Sequence, residues 1–367
     1  MNVLIINLIL TTAEKGVITR RKSIDDTMIC CLARGFVELG HHVTLLASED
    51  FKSTEPENHS FDVVFFKSKF PRLFKPAYLP WPKRLGKYLR DNGNNFDIVI
   101  SKEVFSIGTL IASRHVKGKL MIWHELALHQ RMMHHLPSKI WYNLIMACFM
   151  RNELVVPVSR PAQHFIAQYA HNVSEEIVDH PADPKVLYPC EEPEDSMIVV
   201  SQLIKRKNID KIILSFSKFV KKEPYQHYLL HIIGDGEQRQ NIEQIIIDNN
   251  LSNNVVLHGF MSHRQLASLL RKAKALLFKT SKDNNVVTIP EAIVSGTPIV
   301  MNTVPTNASF VKEHGLGIVN DNWNELDLMN LVDNYQLYHQ SCLLVRETLT
   351  NTGCARKFLD IFKKKRQ

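Results

Sequence analysis

The sequence predicts an α/β protein of two domains, each folded around a parallel sheet. Short apolar runs rich in valine and isoleucine alternate with amphipathic stretches through both halves of the 367-residue chain. Within each run the apolar residues are continuous instead of alternating, which is typical of strands that helices cover on both faces. Strand–helix–strand repetition indicates right-handed crossovers between parallel strands, and a chain of this length exceeds one compact core.

Individual elements can be assigned from the same pattern. Apolar periodicity predicts a helix that Ser23 caps and Gly40 ends, and a second helix that begins after Asn208. Ser262 and Gln265 have the spacing of a capping box at the start of a third helix. The runs predicted to be strands are residues 3–10, 43–46, 63–66, 98–100, 120–123, 154–158, 197–200, 228–233, 255–257, 275–278 and 298–301.

A polar stretch with several prolines, residues 180–193, separates the two halves and indicates the domain boundary. We expect domains at residues 1–188 and 189–350, followed by a helix at residues 351–367. Parallel sheets of this kind bind ligands at the carboxyl ends of their strands. Two such domains are therefore expected to face a central ligand-binding cleft.

Composition narrows the class of protein. Hydrophobic residues make up 45% of the chain and charged residues 22%, which is typical of a soluble globular protein. The formal net charge of +8 favours anionic partners such as nucleotides or acidic membranes. The six cysteines form no CxxC pair, which indicates reduced thiols in a cytoplasmic protein and no zinc site. Neither a signal peptide nor a membrane-spanning run is recognisable.

The segment with most chemical content is residues 279–302, KTSKDNNVVTIPEAIVSGTPIVMN. It follows a predicted strand and begins a helix near Thr288, where the N–H groups of Val286, Val287 and Thr288 are expected to be free. With the helix dipole, these groups would form an anion site suited to a diphosphate. Two acidic residues, Asp283 and Glu291, lie on either side of that site.

Two further segments carry polar groups at strand ends. The first is Val200-Ser201-Gln202-Leu203-Ile204-Lys205-Arg206-Lys207-Asn208, where cations follow a strand. The second is Gly234-Asp235-Gly236, which has only part of a nucleotide-binding glycine pattern and is weak evidence by itself.

Residues 279–302 resemble the acidic-x7-Glu signature of the retaining family 4 glycosyltransferases, which have the two-domain GT-B fold. The resemblance implies that Glu291 binds the ribose of a nucleotide sugar and that Asp283 contacts the donor sugar. The family usually has Glu where Asp283 stands. Its two glycines are replaced here by Asn284 and Val286.

The loop at residues 200–208 is similar to the family's Gly-Arg-Leu…Lys-Gly loop, whose two cations neutralise the donor diphosphate. Lys207 matches the lysine, whereas uncharged Gln202 stands in place of the arginine. Arg206 or Lys205 could compensate. The pattern continues through residues 257–262, and this implies that Phe260 and Met261 contact the base.

In the first half the resemblance is fainter. Gly16 occupies the place of a glycine-rich loop that faces the donor phosphate, and His124 matches a position near the donor sugar. The resemblance implies that residues 1–188 bind the acceptor and residues 189–350 the nucleotide sugar. It also implies that helix 351–367 packs back on the first domain.

The implied activity is retaining transfer of a sugar from a UDP- or GDP-linked donor to a glycan or lipid-linked acceptor, as in bacterial surface polysaccharide synthesis. Asp283, His124 and Lys207 would serve the chemistry. No metal or other cofactor is expected, and the nucleotide sugar is a substrate. Residues 70–84 interleave aromatic and basic side chains, which suits an anionic membrane surface as well as a solvated loop.

Simpler explanations exist for each motif. Thr288 and Glu291 have capping-box spacing, Lys207 could belong to a solvated helix entrance, and the glycines could form a tight turn. A single histidine such as His124 is often structural. At the level of the whole protein, the alternatives are a non-catalytic GT-B partner and a GT-B UDP-sugar epimerase. We expect no nucleic acid partner, because no known nucleic-acid-binding module is recognisable.

Overall fold

The computed structural model describes residues 1–11, 16–130 and 132–366. The chain divides into two compact units, residues 1–181 with 351–367, and residues 182–350. The predicted boundary, between residues 188 and 189, lies a few residues C-terminal to the observed one, between residues 181 and 182. Each unit contains one six-stranded parallel sheet with helices on both faces, so the predicted fold class of two Rossmann-like domains is confirmed.

The sheet of the first unit has the strand order β3-β2-β1-β4-β5-β6. Its strands are β1 (Asn2–Ile6), β2 (His42–Ser48), β3 (Asp62–Phe66), β4 (Ile98–Lys102), β5 (Leu120–His124) and β6 (Leu154–Pro157). All five pairs of neighbours are parallel. The polar groups that follow β4 and β5 therefore meet at one edge of the sheet.

Among the described residues of the first unit, six α-helices precede the second unit. They are α1 (Met28–Glu38), α2 (Leu85–Asn92), α3 (Ile107–His115), α4 (Leu136–Ile140), α5 (Ala147–Phe149) and α6 (Arg160–Ile166). A π-helical turn, Trp141–Met146, joins α4 to α5. Ser23 does not cap α1, because the helix begins only at Met28 and the Ser23 hydroxyl hydrogen-bonds the carboxylate of Glu57.

The second sheet repeats this arrangement, with the order β12-β11-β10-β7-β8-β9. Its strands are β7 (Glu194–Val200), β8 (Leu229–Ile233), β9 (Val255–Gly259), β10 (Ala273–Phe278), β11 (Ile299–Met301) and β12 (Gly317–Val319). Its helices are α7 (Ile209–Phe219), α8 (Arg239–Asp248), α9 (His263–Lys272), α10 (Thr288–Val294), α11 (Ala308–Glu313), α12 (Glu325–Asp333) and α13 (Tyr335–Val345). In both sheets the strand order reverses between the first and fourth strands in sequence, β1/β4 and β7/β10. Rossmann-like folds bind nucleotides at this switch point.

The last helix, α14 (Asn351–Arg366), packs on α1 of the first unit. Its Phe358 ring is buried, with its centroid 5.5 Å from the Trp123 ring and 6.4 Å from Phe36. A Cβ atom at Gly35 would lie 2.1 Å from the Asn351 carbonyl oxygen, so only glycine allows this approach. Among the described residues, no helix is long and apolar enough to cross a membrane.

Candidate functional site

Asp283 and Lys207 form an ion pair that joins two loops of the second unit. Lys207 follows β7, and Asp283 follows β10, the neighbouring strand, so both lie at the carboxyl edge of the sheet. The Lys207 side chain is only 11% exposed, and its ammonium lies 4.8 Å from the centroid of the Phe278 ring. A solvated helix entrance does not describe this lysine, which is a largely buried cation held by a carboxylate.

Arg206 connects the same two loops. Its Nη1 atom donates a 2.8 Å hydrogen bond to the Lys282 carbonyl and lies 3.4 Å from Oδ2 of Asp283. Its own carbonyl accepts a hydrogen bond of 2.8 Å from the N–H of Ser281. From the sequence, Arg206 was named as one residue that could supply the positive charge that is missing at Gln202. It lies beside Asp283 and Lys207, whereas the Gln202 side chain is exposed.

Glu291 is held by a neighbouring helix. Its Oε1 atom lies 3.1 Å from Nε2 of His263, the first residue of α9, and both side chains are mostly buried. The capping-box explanation of Glu291 is wrong, because Val287 is the N-cap of α10 and makes no side-chain cap. The Thr288 hydroxyl is instead buried without a hydrogen-bond partner among the described residues.

His263 was not singled out from the sequence, although the capping box before it was. Ser262 and Gln265 form that box in the structure, and it fixes the first turn of α9. The helix start was correctly predicted, and it sets the position of the His263 imidazole. The partner of that imidazole, Glu291, lies 28 residues away in sequence.

The predicted anion site at the start of α10 is smaller than expected. The N–H of Val286 is directed at Oδ1 of Asn307, 3.5 Å away, and is therefore not free. The N–H groups of Val287 and Thr288 have no acceptor among the described residues. Two N–H groups, not three, remain for an anion, and Val287 is partly exposed beside them.

Two buried asparagines hold the loop between β10 and α10. The amide of Asn302 accepts a 3.0 Å hydrogen bond from the Thr280 N–H and donates a 2.7 Å one to the Thr280 carbonyl. Asn307 donates a 2.9 Å hydrogen bond to the Val286 carbonyl. These bonds fix the loop that carries Asp283 at both of its ends, in a sequence that lacks the family's two glycines.

The glycines of Gly234-Asp235-Gly236 serve close packing of two loops. A Cβ atom at Gly234 would lie 1.9 Å from the Ser201 carbonyl oxygen, and one at Gly236 would lie 2.5 Å from that of Leu203. The Leu203 N–H donates a 2.9 Å hydrogen bond to the Asp235 carbonyl. The tight-turn explanation thus accounts for these glycines.

The two predicted base contacts differ in exposure. The Phe260 side chain, just after β9, is 81% exposed. Met261 is half-buried and packs against the core of the second unit. Of the two, only Phe260 offers a free aromatic face to a ligand, and stacking of this kind tolerates any base.

His124 lies at the end of β5 in the first unit, and its ring is fully buried. Its Nδ1 atom lies 3.0 Å from Oε2 of Glu103, whose other oxygen accepts a 2.7 Å hydrogen bond from the Glu125 N–H. Its Nε2 atom has no hydrogen-bond partner among the described residues. Glu103 therefore orients the imidazole, and sequence reasoning did not identify it. A contact of His124 with a donor sugar stays a prediction.

A buried ionic cluster adjoins this pair at the same sheet edge. The Glu125 carboxylate lies 3.1 Å from the Lys102 ammonium and 3.3 Å from Nε2 of His180. Burial raises the pKa of Glu125, but the charges of Lys102 and His180 outweigh it and hold that pKa well below its usual range. The Lys102 ammonium also lies 3.9 Å from the centroid of the Trp123 ring.

Gly16 is the one predicted site residue beside an undescribed stretch. Its φ of +80° favours glycine, and a Cβ atom there would lie 2.8 Å from the Tyr78 hydroxyl. Residues 12–15, which complete the predicted phosphate-facing loop, lie outside the described residues. The role of this loop stays a prediction.

Two family models match the chain, one in each unit. The model described as Glycosyltransferase Family 4 matches residues 26–182. The model described as Glycosyl transferases group 1 matches residues 188–335. The second match includes every predicted donor-site residue of the second unit.

Curated relatives match parts of the chain. The UDP-N-acetylglucosamine–peptide N-acetylglucosaminyltransferase GtfA subunit of Streptococcus agalactiae is 30% identical over 120 residues, 32% of this chain and 23% of that protein. The poly(ribitol-phosphate) alpha-N-acetylglucosaminyltransferase of Staphylococcus aureus is 26% identical over 172 residues, 44% of this chain and 34% of that protein. The alpha-monoglucosyldiacylglycerol synthase of Acholeplasma laidlawii is 24% identical over 121 residues, 33% of this chain and 30% of that protein. The matches span about a quarter to a third of these relatives' own length.

Solved structures resemble the chain over nearly its whole length. The sucrose-phosphate synthase of Thermosynechococcus elongatus has a TM-score of 0.69 at 12% identity, covering 99% of this chain and 98% of that one. The Anabaena protein HepE, solved in complex with UDP, has a TM-score of 0.69 at 14% identity, covering 99% and 100%. At these identities the likeness shows the fold.

Proposed function

Because this chain belongs to the GT-B glycosyltransferases of the group 1 and family 4 type, we propose that it transfers a sugar with retention from a nucleoside diphosphate sugar. The observation that carries the proposal is the largely buried Lys207, held at the carboxyl edge of the sheet by Asp283. Arg206 lies in the same cluster and would supply the second cation, which is missing at position 202 because Gln202 is uncharged. Anions bind well where such cations adjoin free backbone N–H groups.

In the proposed reaction, Lys207 and the start of α10 hold the donor diphosphate. Negative charge grows on the leaving oxygen as the glycosidic bond breaks, and a cation already fixed in place stabilises that charge. Asp283 would shift from Lys207 toward the donor sugar, and Glu291 would bind the ribose. Since Lys207 and Arg206 neutralise the diphosphate, we propose that no metal is essential, so that EDTA leaves the turnover rate unchanged.

We propose uracil as the base of the donor and a glycan or lipid-linked molecule of the bacterial surface as its acceptor. HepE was solved with UDP, and the Streptococcus agalactiae relative is named for UDP-N-acetylglucosamine. The named acceptors of the relatives are a peptide, a poly(ribitol-phosphate) and, by its name, a diacylglycerol lipid. Because these acceptors differ, each class should be assayed directly with the present chain.

Peripheral contact with the inner face of an anionic membrane is also part of the proposal. Within residues 70–84, the side chains of Phe70 and Leu73 are exposed. The Lys69 ammonium lies 4.6 Å from the centroid of the Phe70 ring. Exposed aromatic and basic groups of this kind suit the headgroup region of a bilayer.

A thermal-shift screen tests the donor site. UDP, GDP, ADP, TDP and CMP are added in turn to the wild type, to Glu291→Ala and to Glu313→Ala, an exposed control at the end of α11. A ligand at a hundredfold excess over its Kd should stabilise the protein by about 2.7 kcal/mol. We expect UDP to raise the midpoint of the wild type and the control but not of Glu291→Ala. Absence of stabilisation by all five nucleotides would count against the proposed function.

A non-catalytic partner protein is the second candidate, and the exposed, uncharged Gln202 favours it. Such a protein would bind UDP weakly and release none from a UDP-sugar. An epimerase would instead convert the UDP-sugar to its isomer without an acceptor. Analysis of products from UDP-sugars, with and without lipid extract, distinguishes the three.

A further inference from the structure

One helix of the first unit exposes an apolar row. Residues 136–149 form a continuous helical segment made of α4, the π-helical turn and α5. Its inner side buries Tyr142 and Met146 in the core. On its outer side, Leu136, Ile140 and Leu144 follow one another at intervals of four residues and are 54%, 49% and 57% exposed. Single exposed leucines are ordinary on a protein surface, but a contiguous row on one helix face marks an interaction site.

The border of this apolar row is cationic. Residues 126–152 contain no aspartate or glutamate. Lys139 and Arg151 are exposed within that range. Arg114 of α3 lies over the exposed Phe149, with its guanidinium carbon 4.3 Å from the ring centroid. Apolar side chains with lysine and arginine around them are the pattern of a helix that lies in the surface of an anionic bilayer.

The length of the segment fits the same orientation. Fourteen helical residues extend over about 21 Å, less than the hydrocarbon core of a bilayer, so the helix can lie on a membrane but not cross it. The apolar row would enter the boundary between headgroups and acyl chains. Lys139, Arg151 and Arg114 would remain among the phosphates.

The charge pattern also decides against a second copy of this chain. In a two-fold symmetric dimer, the same patch meets itself. Such a dimer would bring Lys139 and Arg151 of one copy near the same cations of the other, with no acidic residue in 126–152 to offset them. Anionic lipid headgroups complement this border without such repulsion.

Residues 70–84, proposed above to touch a membrane, lie on the same side of the first unit. They lead directly into α2, which packs against α3. Leu85 of α2, Ala112 of α3 and Tyr142 of the 136–149 segment share one core cluster on a single face of the sheet. One flat lipid surface can therefore meet both regions.

We infer that the 136–149 segment docks on the surface of an anionic lipid bilayer through Leu136, Ile140 and Leu144. This deepens the proposed function, and it rests on that function for the view that the acceptor is presented at a membrane. The bilayer contact would place the edge of the first sheet that carries Glu103 and His124 near lipid-linked acceptors.

Vesicle co-sedimentation tests the inference. The probes are vesicles of phosphatidylcholine alone and vesicles with roughly one third phosphatidylglycerol. The variant is Ile140→Glu with Leu144→Glu. The matched control is Leu337→Glu with Leu344→Glu, which changes two leucines of α13 that are 65% and 84% exposed.

We expect the wild type and the control to bind anionic vesicles and the Ile140/Leu144 variant to bind more than about tenfold more weakly. Since the border is cationic, binding should also weaken at high salt. Equal binding by the Ile140/Leu144 variant overturns the inference, as does a wild type that binds no vesicles. A wild-type dimer that this variant converts to a monomer, without vesicle binding, also overturns it in favour of a second copy.

UDP-induced thermal stabilisation of the same variants separates the two proposals. Normal stabilisation by UDP with lost vesicle binding supports the docking surface. Vesicle binding that depends on Ile140 and Leu144, in a protein that no nucleotide stabilises, keeps the docking surface and contradicts the proposed function.

Discussion

The imidazole of His263 lies 3.1 Å from the carboxylate of Glu291, so a neighbouring helix holds the acidic residue at the start of α10. The contact fixes the Glu291 carboxylate in a mostly buried position. The ribose-binding role proposed for Glu291 requires such a defined orientation. His263 is therefore a positioning residue in the proposed donor site. Its effect should appear in nucleotide affinity more than in global stability.

Replacing His263 with alanine is expected to weaken UDP binding by about 1 kcal/mol, or roughly fivefold, the usual contribution of one hydrogen bond. Isothermal titration calorimetry gives the Kd. His263→Gln, which keeps an N–H donor, should recover part of the affinity. His314→Ala, at the exposed end of α11, is the control. Equal affinity in His263→Ala and His314→Ala would contradict the positioning role.

The Lys207→Met substitution is expected to lower kcat/KM by about a hundredfold or more, since the fixed cation that stabilises the leaving diphosphate is lost. Lys205 lies two residues away on the same turn and is exposed, so Lys205→Met is the matched control and should change kcat/KM by less than about twofold. Steady-state kinetics with the donor identified by the screen provides the measurement. Comparable losses in both variants would show that general positive charge, and not Lys207 itself, matters.

Parts of the site were predictable, because residues that follow neighbouring parallel strands meet at one edge of the sheet. Lys207 and Asp283 are 76 residues apart in sequence, yet each follows a strand recognisable from its apolar run, and these strands are neighbours. The continuous apolar runs also indicated eleven of the twelve strands in the described part of the chain. The strand that escaped, β12, has only three residues and begins with glycine.

Side-chain partners from distant segments were not predictable. Glu103, His263, Asn302 and Asn307 stand in no local pattern, and each acts on a residue 21 to 28 positions away. Local spacing was misleading at Glu291, where a capping box required a helix that starts after Thr288. The helix includes Thr288 as its first residue, which leaves the threonine hydroxyl unable to cap it.

Asn307→Ala is expected to destabilise the second unit by about 2 kcal/mol, because a buried carbonyl loses its hydrogen-bond donor. The loop of Asp283 would lose one of its two anchors, so UDP affinity should also fall. Asn322→Ala, at an exposed turn of the same unit, is the control. Urea unfolding and calorimetry measure the two effects. Full stability in Asn307→Ala would mean that the amide does not hold the loop.

Gln202→Arg restores the charge that the family has at this position. The side chain is exposed, so the substitution should not disturb the core. A cation added beside a diphosphate site is expected to tighten UDP binding by about 1 kcal/mol, or roughly fivefold. The same substitution with Arg206→Ala asks whether Arg206 already fills the role. A larger gain in that double variant supports compensation by Arg206, and an equal gain argues against it.

The Glu125 cluster makes the stability of the first unit depend on pH. Burial opposes the charged carboxylate, but Lys102 and His180 outweigh it, so the folded-state pKa of Glu125 lies well below the usual glutamate value. A carboxyl with a lowered folded-state pKa stabilises the protein above its unfolded pKa, and this contribution fades as the pH falls through the window below 4.5.

Glu125→Gln leaves Lys102 as a buried charge without its carboxylate and is expected to cost about 3 kcal/mol at pH 7. The difference between wild type and variant should shrink toward pH 3.5, about one unit below the usual glutamate value. Urea unfolding at the two pH values, followed by tryptophan fluorescence, measures this difference. Three of the four tryptophans, Trp81, Trp123 and Trp141, lie in the first unit. A difference that stays constant with pH would show that the carboxylate charge does not stabilise this unit.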